Sequence, residues 1–446
     1  MRPGKSLSKS ESQISGSASG LKPDFTIGQL GTCRIPSPFE GIPFISDARR
    51  VLYHDELSEI QTYIEKRESP PGFEVAGPRE QIYFDPSKIR CGIVTCGGLC
   101  PGINDVIRAI VMSLYYHYGV KNILGFQFGF EGLVPRYKHE PIDLTPEKVT
   151  NIQETGGTFL GSSRGNQDVS EIVDALERMD IRILFTIGGD GTLRGAHAIA
   201  SEVNKRGLKI GVIGVPKTID NDIMFIQATF GFETAVSEAR RATNTAHIEA
   251  KGARNGIGLV KLMGRDSGFI AGYAALADTD VNYCLIPEVR FSMEKLLSSL
   301  SERIGRRGHA VIVVAEGAGQ ELMRGPDERD ASGNVRYSDI GIFLKDAIKA
   351  HFATQGTEIN LKYIDPSYMI RSLPANARDS AFCLLLGHCA VHAGMTGRTD
   401  MVVGYWRNQF THIPIPLAIS SRKKVDVDGF WWNSVLGATG QPRSLA

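Results

Sequence analysis

From Lys88 onward, short runs of continuously apolar residues alternate with amphipathic stretches. The apolar runs are CGIVT (91–95), ILFTI (183–187), KIGVIGV (209–215), GIGLVKL (256–262), YCLIP (283–287) and AVIVVA (310–315). Each is too short for a helix and rich in β-branched residues, so each predicts a strand. Because polar residues do not alternate within them, the sheets are expected to be covered on both faces. Between the runs, apolar spacing predicts helices over Asn104–Tyr116, Gly231–Glu249, Met293–Arg306 and Asp339–Phe352. This alternation predicts an α/β fold with mainly parallel strands joined by crossover helices. Ligands in such sheets bind beyond the carboxyl ends of the strands, so the chemistry is expected in the turns that follow them.

Before Lys88 the pattern is missing. Residues 1–86 are dense in proline and glycine, with one predicted helix around Leu57–Lys66, and read as an extension wrapped over the main body. The opening MRPGKSLSKSESQISGSASG is expected to be a disordered tail. It lacks the apolar core of a secretory signal, and Glu11 and Asp24 interrupt a transit-peptide pattern. The full 446 residues suffice for two or three lobes. Net charge is +1, so no global field favours nucleic acid or a membrane, and neither is an expected partner. No apolar run approaches a bilayer span. Of seven cysteines, Cys91, Cys96 and Cys100 cluster without a CxxC pair or a nearby histidine. Free thiols in a reducing, cytoplasmic setting are therefore expected rather than a metal site.

The turns that follow the strands carry the chemistry. CGIVT leads into GGLCPGIN (97–104), ILFTI into GGDGT (188–192), and KIGVIGV into PKTIDND (216–222). GIGLVKL leads into MGRDSG (263–268) and AVIVVA into EGAGQ (316–320). Parallel sheets would place all five along one crevice. Glycines let backbone approach a ligand, and a helix start favours an anion. Asp190 in GGDGT would repel a phosphate unless a cation lay between them. Asp220 and Asp222, just past a buried strand, are costly to desolvate unless a cation or a reacting proton uses them. Asp190 and Asp222 are thus expected to hold Mg²⁺, which takes carboxylate and phosphate oxygens together. That leaves Asp220 to accept a proton from a hydroxyl nucleophile, with Arg164 (in LGSSRG) and Arg265 offsetting charge on a moving phosphoryl group. The reaction class is phosphoryl transfer to an alcohol.

These residues resemble the 6-phosphofructokinases. The likeness runs from about residue 90 to the C-terminus through GGLCPGIN, LGSSRG, GGDGT, PKTIDND, MGRDSGF, the EG of VVAEG, and YIDPSYMIR (363–371), in that order. It implies two Rossmann-like lobes: 87–225 for the phosphate donor and 226–376 for the sugar phosphate, with 377–446 completing both. It further implies that Asp220 is the base toward the 1-hydroxyl of fructose 6-phosphate, with Thr218 and Asp222 beside it and Asp190 linked to Mg²⁺. Gly98, Arg164, Gly189, Gly191 and Thr192 match ATP contacts, and Arg265 matches the cation on the transferring group. Met263, Gly264, Glu316, Tyr368 and Arg371 match sugar-phosphate positions. Lys362 stands where a neighbouring subunit supplies an arginine in short-chain members. Another such arginine is replaced here by Gly256, with Arg254 nearby. A cytoplasmic, glycolytic, allosterically regulated homo-oligomer, tetramer or dimer, is implied as well.

The family divides between ATP and pyrophosphate donors, and this chain carries a mark of each. Pyrophosphate users typically have Asp where Gly191 stands, and they carry a lysine at the position of Lys217. Gly191 leaves room for a nucleotide's α-phosphate, so ATP is the expected donor and pyrophosphate the alternative. Gly191 together with Lys217, and the long N-terminal extension, resemble the atypical ATP-using branch. GGDGT alone would also suit a lipid or NAD kinase, but the lipid type expects a Gly-Thr-Gly-Asn-Asp turn after the next strand, where GVPKTIDND stands. A dinucleotide dehydrogenase would need GxGxxG spacing, which GGLCPG lacks.

Overall fold

The computed structural model describes residues 23–39, 41–323, 329 and 335–445. The expected disordered tail lies outside the described residues. Thirteen strands form two sheets: β1 (Arg50–Leu52), β2 (Gly72–Val75), β3 (Arg90–Thr95), β4 (Asn122–Phe126), β5 (Ile142–Asp143), β6 (Ile181–Gly188), β7 (Gly211–Pro216), β8 (Gly256–Leu262), β9 (Tyr283–Leu285), β10 (His309–Ala315), β11 (Asn360–Ile364), β12 (Met401–Trp406) and β13 (Gln409–Pro414). The larger sheet runs β1-β2-β13-β12-β7-β6-β3-β4-β5 and the smaller β9-β10-β8-β11. All six predicted strands are present, and the α/β expectation holds. The smaller sheet is wholly parallel, as are β12-β7-β6-β3-β4 in the larger.

The antiparallel exceptions lie at the edges of the larger sheet. There β1 and β2 come from the N-terminal extension, and β2 pairs with β13. Strands β12 and β13 form a hairpin across Arg407 and Asn408, both at positive φ (49° and 61°), the backbone of a tight two-residue turn matched to strand twist.

The first ten α-helices are α1 (Leu57–Glu65), α2 (Ile103–Met112), α3 (Val169–Arg178), α4 (Asp190–Lys205), α5 (Phe232–Lys251), α6 (Phe269–Ala277), α7 (Met293–Arg307), α8 (Ile340–Thr354), α9 (Ser367–Arg371) and α10 (Ala377–Met395). The predicted α2 stops earlier than its apolar spacing suggests, because Ser113–His117 continues as a wider π turn. One buried core spans both sheets, joining Ile93, Ile183 and Val215 to Val260 and Val313 through α5 and α10. Separate cores cover the outer faces, under α3 and α4 on the larger sheet and under α7 and α8 on the smaller. The sheets thus share a floor, and the carboxyl ends of their central strands open above it. Cys91, Cys96, Cys100, Cys284 and Cys383 are buried free thiols, and Cys33 and Cys389 are half-buried.

Candidate active site

A cavity of about 1580 Å³ lies between the strand ends of the two sheets. All five expected turns reach it: Gly97–Leu99 after β3, Gly189–Thr192 after β6, Lys217–Asp222 after β7, Met263 and Arg265 after β8, and Glu316 after β10. Arg164 joins from the loop before α3, and Tyr368 and Arg371 join from α9 after β11. Two expected residues do not line it. Gly264 is buried at φ +130°, where a Cβ would stand 2.5 Å from the Ser267 carbonyl oxygen. It shapes the turn that presents Met263 and Arg265 to the cavity. Lys362 is exposed on β11, outside the cavity. Gly256 can carry no side chain, since a Cβ would lie 2.0 Å from the Ala250 carbonyl oxygen.

On the donor side, Gly189 caps α4, whose first turn is Asp190, Gly191 and Thr192. The first N–H groups of a helix lack intrahelical acceptors, which suits a phosphate. Gly191 lacks a positive φ, and a Cβ there would meet nothing within 4 Å. Neither backbone nor packing requires glycine at that position, so its missing side chain simply leaves the cavity open. Above Gly98, a Cβ would lie 3.4 Å from Arg164 Nη2 and 3.7 Å from Arg371 Nη1; two guanidiniums therefore converge over this glycine. Lys217 is buried and donates from Nζ to the Gly98 carbonyl at 2.5 Å, and burial pushes its pKa down.

The acids sit at the junction of the two sheets. In the loop after β7, Asn221 adopts φ +54°, a conformation asparagine tolerates better than most residues. Its Oδ1 accepts the Thr229 N–H and its Nδ2 donates to the Gln227 carbonyl. Thr218 donates from Oγ1 to Asp222 at 2.8 Å and accepts the Asp220 N–H at 3.2 Å. Asp220 Oδ1 is sealed from solvent and takes no hydrogen bond. Burial, then Asp222 and Glu316, push the Asp220 carboxyl well above its usual range, opposed by the Arg265 backbone N–H and the Arg422 guanidinium. Burial also pushes the Glu316 carboxyl up.

Asp190 and Asp222 share one cation. Arg422 lies 2.8 Å from Asp222 Oδ2 through Nη1 and 3.4 Å from Asp190 Oδ2 through Nη2. A bare orphaned carboxylate oxygen and two carboxylates gathered about one positive charge make a hard, anionic donor set of the kind Mg²⁺ takes. Among the described residues no cluster of three or more metal-ligating side chains exists. This fits an ion that takes one or two carboxylates from protein and its remaining oxygens from phosphate and water.

Two side-chain placements depart from the sequence reading. The Arg265 guanidinium lies 4.4 Å from the centre of the Tyr337 ring and donates to the Val335 carbonyl, so it borders the cavity while spent on the 335–337 segment. Tyr368 is 74% exposed at the rim, with the Arg371 guanidinium 4.6 Å from its ring centre. Sequence reasoning missed Lys261, which bridges Asp339 and Asp365 at 2.7 Å each. A lysine inside an otherwise apolar strand was the available signal. It also missed Arg422, which stands in a charged SSRKK run with no glycine or motif to distinguish it.

Known proteins resemble this chain over most of its length. The family model described as phosphofructokinase matches residues 90–394. A Borreliella burgdorferi protein named ATP-dependent 6-phosphofructokinase is 49% identical, over 95% of this chain and 98% of its own length. An Amycolatopsis methanolica protein of the same name is 46% identical over 94% and 95%, and one from Trypanosoma brucei brucei is 48% identical over 82% and 76%. Among solved structures, a pyrophosphate-dependent phosphofructokinase from Marinobacter aquaeolei has a TM-score of 0.64 at 20% identity, covering 76% of this chain and 86% of that one. At that identity the likeness shows the fold alone. A family model spanning most of the chain and relatives nearly half identical along almost its whole length settle the kinship: the chain belongs to the phosphofructokinase family.

Proposed function

We propose that this chain transfers the terminal phosphoryl group of MgATP to the 1-hydroxyl of fructose 6-phosphate, giving fructose 1,6-bisphosphate and ADP. The observation that carries this reading is the unpartnered, sealed Oδ1 of Asp220 at the junction of the two lobes. An acid held there with a raised pKa is a poised base. It takes the proton as the sugar oxygen attacks the terminal phosphorus and the bond to the ADP oxygen breaks. Thr218 and Asn221 fix the loop that aims it. Arg164 and Arg371 converge over Gly98, where they oppose phosphate charge, and the α4 start receives donor phosphates. Asp190 and Asp222 would hold Mg²⁺, which lets carboxylates and phosphate oxygens share one place. Glu316, Met263, Tyr368 and Arg371 form the sugar-phosphate side, with Arg265 turning inward from Tyr337 when that side is filled.

ATP is favoured over pyrophosphate because the cavity is open at Gly191 and Lys217 is already engaged by the Gly98 carbonyl. The three relatives at 46–49% identity carry ATP in their names, whereas the pyrophosphate-dependent neighbour shares only 20% of residues. A cytoplasmic, glycolytic role follows from the proposed reaction, and no helix among the described residues is long and apolar enough to cross a membrane. Lys362 outside its own cavity supports a homo-oligomer, dimer or tetramer, that shares residues between sites and could be regulated there. Initial rates with saturating MgATP and pyrophosphate test the donor side by side. The expected result is faster turnover on ATP, and faster turnover on pyrophosphate would reverse the assignment. The substitution Gly191→Asp should reduce ATP use at least about ten-fold more than pyrophosphate use; equal losses would remove the steric argument.

A further inference from the structure

The segment after β13 passes through the active site. Ile419 accepts a hydrogen bond from Arg194 of α4 through its carbonyl, at 2.9 Å. Arg422 then forms an antiparallel bridge with Ile223, and the Lys423 N–H donates to the Asp222 carbonyl at 2.8 Å. The Lys423 ammonium donates to the Ile226 carbonyl at 2.7 Å, below the same loop. The Val425 N–H reaches Glu288 Oε1, which also accepts the Gly268 N–H at the end of the MGRDSG turn. One short stretch is thereby tied to the donor helix, the Asp220 loop and the sugar-side turn, and Arg422 is its only side chain that spans two of the acids at the reaction centre.

That placement sets up a competition. The guanidinium holds Oδ2 of both Asp190 and Asp222, and a divalent cation would need these same carboxylates. Buried carboxylates are strongly penalised without a positive partner, so whichever cation is present excludes the other. A bare metal ion gains only the two acids on displacing the arginine. A metal ion carried on a phosphate chain brings anionic oxygens of its own, to which the released guanidinium can turn. We propose that Arg422 is a positioning residue that competes with the divalent cation for Asp190 and Asp222, so that the cation is accepted only together with its phosphate donor. This rests on the assignment of those two acids to the metal.

Binding of Mn²⁺ alone, followed by electron paramagnetic resonance, tests the competition without turnover. Arg422→Gln should bind free Mn²⁺ about ten-fold or more tighter than the unaltered chain, and Arg422→Lys should fall between them. Arg194→Gln removes a charge that also touches Asp190 but lies largely exposed, and should shift affinity less than about two-fold. Unchanged Mn²⁺ affinity in Arg422→Gln, or an equal gain in Arg194→Gln, would overturn the proposal. A purely structural arginine would lower the melting temperature without moving Mn²⁺ affinity. Should Arg422→Gln fail to fold, the Arg422→Lys affinity decides alone: a gain supports competition and no gain refutes it. Mn²⁺ with a non-hydrolysable ATP analogue on the unaltered chain tests the underlying assignment separately. Tight binding there is expected, and its absence would refute the metal role of the two acids rather than the competition alone.

Discussion

Asp220 shows the trade the site makes at the scale of a residue. Its carboxyl is raised above the ordinary value by burial and by two neighbouring acids, so the folded chain binds a proton that the unfolded chain has already released. Stability then rises as pH falls from above the raised value toward the ordinary carboxylate range, and above the raised value the charged group is a cost to the fold. Asp220→Asn removes that cost, so its melting temperature should exceed that of the unaltered chain by a margin that grows as pH rises; a margin that shrinks would contradict the burial argument. Activity has the opposite sign. A base must be unprotonated, so kcat/KM should fall as pH drops, with its acid limb above the usual aspartate range. Asp220, Asp190 and Gly191 were legible in the sequence because a carboxylate or a glycine after a buried strand stands out chemically. Asn221 was not, because its contribution is a left-handed backbone and two hydrogen bonds, neither of which the letters DND reveal.

At the scale of elements, five strand-end turns were readable because each follows a β-branched run and carries glycine or charge. The β12–β13 hairpin was not, since Arg407-Asn408 lacks the Asn-Gly signature of its turn. Pairing between β2 and β13 was equally hidden, because no local pattern links residues hundreds of positions apart. Lys261 illustrates a tie between elements that only the fold displays. It joins β8 to Asp339 at the start of α8 and to Asp365 in the loop leading to α9. Removing it should let α9 shift and carry Tyr368 and Arg371 with it. Lys261→Ala is therefore expected to raise KM for the sugar phosphate several-fold while leaving KM for ATP near its original value. Equal rises in both would show a general loss of structure instead.

At the scale of the molecule, the N-terminal extension is tied to the larger sheet by a charge cluster around buried Glu74. Arg79 binds Asp47 and Glu74, while Arg398 binds the same two acids and His412 adds a hydrogen bond to Glu74 at 2.8 Å. Burial pushes the Glu74 carboxyl up, but His412 and Arg398 outweigh it and hold it at about 2. This contribution to stability is present above the ordinary glutamate range and lost as pH falls toward 2. Arg398→Ala leaves buried Glu74 with Arg79 and His412 and removes one charge-assisted hydrogen bond, so it should cost about 1.5–3 kcal/mol in denaturant unfolding; a loss below about 0.5 kcal/mol would show that the extension is held by other contacts. The shared core fixes the two sheets so that acids from separate strand ends meet at one point. The most direct test of that convergence is the rate of fructose 1,6-bisphosphate formation from MgATP by Asp220→Asn, measured beside its affinity for fructose 6-phosphate. The account predicts kcat lowered by ~10²–10⁴ with sugar affinity little changed, and near-normal turnover in that variant would contradict it.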